Sequence, residues 1–226
     1  MLRRLAVAAL TWLCLAGPSQ AQGFGFGFGR GGGGPAGNFD FYVLALSWSP
    51  GFCELDGDRS RNREQCAGGS RLGFVVHGLW PQYERGYPSD CSSANRSPSR
   101  LAMAEAAGVY PSEGLARYEW RKHGTCTGSS PADYFRDVRR ARDRVAIPPA
   151  LAGTEGDRSW TVLDLERAFV AANPGLRTDM MSVSCRRGML QEVRICFGKD
   201  LRGFRSCPEV DRSGCRARSL TVLAPR

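Results

Sequence analysis

The sequence predicts an α+β domain stabilised by disulfides. Three observations carry this reading. Apolar β-type runs lie before and after a central block of helix-period segments, a low-complexity stretch separates an apolar leader from all that follows, and eight of the nine cysteines lie beyond that leader. Strands separated by a block of helices point to α+β rather than to alternating β and α units. An even cysteine count in an exported chain points to a disulfide framework.

Residues 1–21 carry Arg3 and Arg4, an apolar run from Leu5 to Ala16, and Ser19-Gln20-Ala21 with small residues at the −3 and −1 positions. This pattern predicts a secretory signal peptide, and so an exported protein, periplasmic or extracellular. The run is far shorter than the roughly 20 residues that span a bilayer, and no later stretch approaches that length, so no membrane anchor is expected. Residues 22–37 form a Gly/Phe-rich segment, with GFGFGFGRGGGGP from Gly23 to Pro35. Such a composition buries too little surface to offset backbone entropy and predicts a flexible tail. One domain is expected over 38–226.

Within it, Phe41 to Trp48 is apolar on both faces, as in a central strand, and ends at Ser49-Pro50-Gly51. Leu72 to His77 is a second β-rich run, closed by Gly78 and Pro81. Helices are expected over about 99–107, 113–123 and 131–145, with Gly124 as the stop of the second. A fourth helix starts near Thr161, with Asp164 three residues on in a capping-box arrangement, and ends before Asn173-Pro174-Gly175. Strands over about 179–184 and 189–197 follow in a cysteine-rich section.

The formal charge is +9, and loss of Arg3 and Arg4 leaves 9 − 2 = +7. A basic exported protein meets polyanions, although charge alone fits solubility equally well. Cys53, Cys66, Cys91, Cys126, Cys185, Cys196, Cys207 and Cys215 contain no Cys-x-x-Cys pair and no histidine neighbours them in a metal-ligand pattern. Disulfides are therefore expected and a metal is not.

Two segments carry chemistry. In Phe74-Val75-Val76-His77-Gly78-Leu79-Trp80-Pro81 a strand delivers an imidazole at its end, beside an indole. In Tyr118-Glu119-Trp120-Arg121-Lys122-His123-Gly124-Thr125-Cys126, residues 119, 122 and 123 stand at i, i+3 and i+4. On a helix that spacing puts carboxylate, ammonium and imidazole on one face. The chain has 29 arginines and two lysines, so Lys122 marks a place where a compact point charge is preferred to a fork. His77 and His123 are the only two histidines, and both fall in these segments.

These segments resemble the two active-site segments of the RNase T2 family. The resemblance extends to Trp48-Ser49-Pro50-Gly51-Phe52-Cys53, to Gly86-Tyr87-Pro88 before Cys91, and to Glu192-Val193-Arg194-Ile195-Cys196, covering about residues 38–215. It implies a central, mainly antiparallel sheet packed with helices. It implies a metal-independent, cofactor-free endoribonuclease in which the 2′-hydroxyl of RNA attacks the adjacent phosphorus, giving a 2′,3′-cyclic phosphate. DNA, lacking the nucleophile, is spared.

By that analogy His123 is the base and His77 the acid, although the residues alone fit the reverse. Lys122 stabilises the phosphorane and Glu119 orients or polarises the phosphate. Trp80, Gln82, Tyr87 and Tyr118 are candidate substrate-binding residues, with Trp48 and Trp120 assigned to the core. Gln82 stands where some adenine-preferring members carry an acid, which predicts weak base preference. The pairings implied are Cys53–Cys66, Cys91–Cys126, and Cys185–Cys215 around Cys196–Cys207. One departure stands out: Tyr118 occupies a position where the family commonly has a third, phosphate-binding histidine. A phenol donates a hydrogen bond but carries no positive charge. The alternative reading, an exported and catalytically weak or inactive RNA-binding relative, rests on that residue. A monomer is expected.

Overall fold

The computed structural model describes residues 34–225 except 58, 68–70, 93–96 and 153–155. The expected signal peptide and the tail as far as residue 33 lie outside the described residues. The chain enters β1 (Phe41–Trp48), α1 (Ser49–Asp56), α2 (Arg63–Cys66) and β2 (Phe74–Gln82). It continues through α3 (Arg100–Ala106), α4 (Glu113–Lys122) and α5 (Pro131–Asp143), then β3 (Arg158–Thr161) and α6 (Val162–Ala172). The last part is β4 (Met181–Arg186), β5 (Met189–Gly198), α7 (Pro208–Arg212) and β6 (Ser219–Val222).

The strands form one sheet in the order β2-β1-β5-β6-β3, with β4 also pairing β5. All pairings are antiparallel except the short β5/β6 contact at Met189 and Thr221. β1 is buried along its whole length, as its doubly apolar sequence requires. Tyr42, Leu44, Leu46 and Trp48 enter the main core with Phe135, Phe169 and Ile195. Phe41 and Val43 face the other way, into a smaller cluster with Cys196, Cys207 and Val210. Each fully buried Leu or Ile of this kind contributes roughly 1.5–3 kcal/mol of transfer free energy. Trp120 is buried in the main core and Trp48 donates its indole N–H to the carbonyl of Leu223 at 3.1 Å.

The helices begin where their caps stand. Ser99, Ser112, Ser130 and Thr161 each accept a backbone N–H through the side-chain oxygen, the last from Asp164 at 3.1 Å. β1 ends at Trp48, as expected from Ser49-Pro50-Gly51; those residues also open α1, because proline fits the first helical turn, and a Cβ on Gly51 would collide with the carbonyl of Leu190. Two sequence expectations need correction. β2 does not stop at His77 but runs to Gln82. It is an edge strand, where Pro81 withholds no ladder hydrogen bond. Gly124 is no left-handed stop: α4 ends at Lys122 with His123 as cap, and Gly124 enters a 3₁₀ turn. Glycine is needed there because a side chain would strike the Trp120 ring. The elements not expected are short, α1, α2, α7, β3 and β6, with too few residues to show a clear period.

Four disulfides link Cys53–Cys66, Cys91–Cys126, Cys185–Cys215 and Cys196–Cys207. The second fastens the turn after α4 to the segment that follows β2. Among the described residues no helix is long and apolar enough to cross a membrane.

Candidate active site

The site begins with an irregularity in β2. Leu46 of β1 pairs with Val76 and Ala45 pairs with Gly78, leaving His77 as an extra residue between them. Such a bulge re-aims side chains and resets the alternation of the strand. In a regular strand residues three apart point to opposite faces. The bulge instead brings His77 and Trp80 to the same face, their rings edge to face at 5.2 Å. Gly78 lies beneath them. A Cβ there would fall inside contact distance of Trp80 Nε1 and Glu119 Oε2, so glycine is what lets α4 approach.

From α4 comes Glu119, 1% exposed, whose Oε2 accepts from Trp80 Nε1 at 2.8 Å. Its Oε1 stands 3.7 Å from His77 Nε2. Burial pushes the Glu119 carboxyl up to about 7, against the pull of His77, Trp80 and Lys122. His123, at the end of the helix, also packs near the indole, with centroids 5.4 Å apart. Burial, then the charges of Lys122 and His77, hold its pKa well below 6.5. Lys122 has its Nζ 5.6 Å from the centre of the half-exposed Tyr118 ring. Burial would lower the Lys122 pKa, but the Tyr118 hydroxyl and neighbouring groups carry it upward.

Two further side chains enter from β5. Glu192 Oε2 lies 2.6 Å from His77 Nδ1, and its Oε1 accepts from Arg194 Nε at 2.7 Å. Burial opposes ionisation of Glu192, yet Arg194 and His77 overcome it and bring the carboxyl down to about 2. Burial likewise lowers the His77 pKa, but the hydrogen bond and charge of Glu192, with Glu119, carry it above 6.5 against Arg194.

The ribonuclease T2 family model matches residues 39–207. The chain belongs to the ribonuclease T2 family. A ribonuclease of Aeromonas hydrophila is 49% identical over 186 residues, covering 77% of this chain and 79% of its own. Ribonuclease I of Escherichia coli K12 is 32% identical over 207 residues, covering 73% of this chain and 77% of its own. Among solved structures, an RNase-related protein from Calystegia sepium has a TM-score of 0.64 at 22% identity, over 83% of this chain and 98% of that one. The α+β architecture, with its mainly antiparallel sheet, packed helices and disulfides, is the ribonuclease T2 fold.

In this T2 chain His77, Trp80, Gln82, Tyr87, Tyr118, Glu119, Lys122 and His123 all line one cavity of about 250 Å³, together with Val43, Arg194 and Val210. Sequence reasoning brought those eight together and the structure places them in one site. A larger groove of about 880 Å³ shares His77, Tyr118 and Arg194 with it and is walled by Arg59, Arg121 and Arg186. Trp80 is less free than a stacking platform: it holds Glu119, packs near both imidazoles and lies under Arg194 at 5.4 Å. Gln82 is nearly buried, with its amide donating to the carbonyl of Pro81 at 3.1 Å.

Glu192, Arg194 and Gly78 stand in motifs quoted from the sequence, but no role in the site was assigned to them there. A signal was present: two opposite charges at i and i+2 inside an otherwise apolar strand share one face, and a buried charge pair on a strand points to a site. Among the described residues no three His, Cys, Asp or Glu side chains are grouped as a metal ion would need.

Proposed function

We propose that the protein is an exported, metal-independent endoribonuclease that cleaves single-stranded RNA by transphosphorylation, with His123 as general base and His77 as general acid. The observation that carries this is the pair of imidazoles packed near one indole in one cavity, with pKa values driven in opposite directions. A base must be neutral and an acid protonated at the same pH. With the His123 pKa held down and the His77 pKa carried up, a pH between them suits His123 as base and His77 as acid, which supports this assignment over the reverse.

In the proposed reaction, His123 takes the proton of the 2′-hydroxyl as its oxygen attacks phosphorus. The buried and unpartnered Nδ1 of His123 leaves Nε2 for this step. His77 Nε2–H gives its proton to the departing 5′-oxygen, and the products are a 2′,3′-cyclic phosphate and a 5′-hydroxyl. Lys122 stabilises charge developing on the phosphorane. Glu119, neutral at mildly acidic pH, donates a hydrogen bond to a non-bridging oxygen. Tyr118 and Tyr87 contact phosphate and base, Trp80 and Gln82 shape the floor, and few base-edge contacts imply weak base preference. The arginine-walled groove takes the rest of the strand.

DNA is spared for want of a 2′-hydroxyl. Export to a periplasm or the exterior follows from the leader at residues 1–21 and from the disulfides. The working unit is a monomer of the 38–226 domain.

The test is digestion of RNA between pH 4 and 8 in excess chelator, comparing the native protein with His123→Ala and His77→Ala. Cleavage by the native protein alone, with cyclic phosphate ends, is expected. Loss of activity in chelator would overturn the metal-free mechanism, and full activity in either variant would overturn the residue assignment.

A further inference from the structure

Glu192 sits 7% exposed on a strand that also places Leu190, Val193 and Ile195 in the core, and both its oxygens are occupied by different partners. Burying a carboxylate costs several kcal/mol unless it is paired, and an apolar residue would fill this place without that cost. The charge therefore has a task other than packing. Its partner His77 is on β2, two strands away, because β1 runs between β2 and β5. Strands lie about 4.8 Å apart, so the two side chains must reach across β1. They do so over Ala45 and Ser47, the small residues that pair with Gly78 and Arg194, and with Val75 and Glu192. The bulge at His77, the small residues beneath and the pair on β5 all serve one contact.

We propose that Glu192 is a positioning residue for the proton donor: it accepts the Nδ1 proton of His77 and so fixes Nε2–H toward the scissile phosphodiester, with Arg194 holding Glu192 ionised and aimed. This rests on the assignment of His77 as the acid. An ionised carboxylate only accepts, so Nδ1 carries a proton at every step. The tautomer that remains after proton donation is thus Nδ1–H, ready to be recharged at Nε2. Nε2 itself makes no close contact with Glu119, at 3.7 Å, which leaves room for a substrate oxygen. The groups that face the ring are Glu192 and Arg194 from β5 and Glu119 from α4, with His123 and Lys122 lining the same cavity.

The experiment compares the native protein with Glu192→Gln, Glu192→Asp and Arg194→Gln in steady-state cleavage across pH 4–9. Histidine ¹⁵N titrations by NMR run alongside; with two histidines, a His123→Ala sample assigns His77. Glu192→Gln is expected to lower kcat about 10- to 100-fold, no more than the low end of the 10²–10⁴ that acid–base catalysis supplies, with KM nearly unchanged. The alkaline limb and the His77 titration should move about one pH unit lower, a tenfold loss of proton affinity. Glu192→Asp should restore part of kcat. Arg194→Gln should move the limb the other way, since Arg194 opposes the His77 charge. A merely structural Glu192 would lower Tm and the active fraction but leave limb and titration in place, and that result overturns the proposal. Should Glu192→Gln not fold, a limb and a His77 titration left unmoved in both Glu192→Asp and Arg194→Gln would overturn it. Full activity of His77→Ala would instead refute the acid assignment on which it rests.

Discussion

Replacing Glu119 by glutamine should make the protein more stable, and the gain should depend on pH in a defined direction. Glutamine keeps the shape of Glu119 and can still accept the indole N–H of Trp80, but it removes a charge from a position 1% exposed. Burial raises the carboxyl from 4.5 to about 7, with the help of His77 and Lys122 already included. At about 1.4 kcal/mol per pH unit, keeping Glu119 ionised at pH 8 costs the fold about 3 kcal/mol. Because the folded pKa is the higher one, this cost is absent below pH 4.5, grows as pH rises to 7 and is complete above it. For a domain of this size about 3 kcal/mol corresponds to roughly 6–12 °C in Tm. Unfolding of both forms with disulfides intact, at pH 4.5, 6 and 8, measures it. The variant should gain up to that amount at pH 8 and match the native protein at pH 4.5, and its amide should still donate where the neutral carboxyl does. No gain at pH 8, or an equal gain at pH 4.5, would refute the reasoning.

Other perturbations test other parts of the site. The pH–rate profile should be a bell whose acid limb lies below 6.5, where His123 gains its proton, and whose alkaline limb lies above 6.5, where His77 loses its own; a rate rising steadily to pH 9 contradicts it. Gly78→Ala should cut kcat roughly 10²-fold or more by forcing Glu119 and Trp80 apart, and wild-type turnover would show that their approach is unimportant. Cys91→Ser with Cys126→Ser opens a loop of sequence separation 35. A loss of about 3–4 kcal/mol in chemical denaturation is expected, together with lower kcat because the turn bearing His123 is untied. Tyr118→His should lower KM several-fold below pH 6.5 by adding a cation beside Lys122; an unchanged KM would place the phosphate elsewhere.

The chain by itself determined most of the proposed reacting groups, because chemistry needs particular side chains and the sequence holds few of them. Two histidines, a lysine among arginines and a helical i, i+3, i+4 spacing already named His77, His123, Lys122 and Glu119. Long elements were legible for a similar reason: β1 is apolar on both faces, and the serine and threonine caps of α3 to α6 announce where helices start. Tertiary structure decided what depends on partners distant in sequence. The bulge that puts His77 and Trp80 on one face exists only as a register against β1, and period-two reading of β2 places them on opposite faces. Glu192 is 115 residues from His77 and becomes its partner only once β1 separates β2 from β5 with small residues between. The division of labour between the imidazoles was likewise open in the sequence. The proposed assignment rests on environment, since burial pushes the His123 pKa down while the hydrogen bond and charge of Glu192 carry that of His77 up.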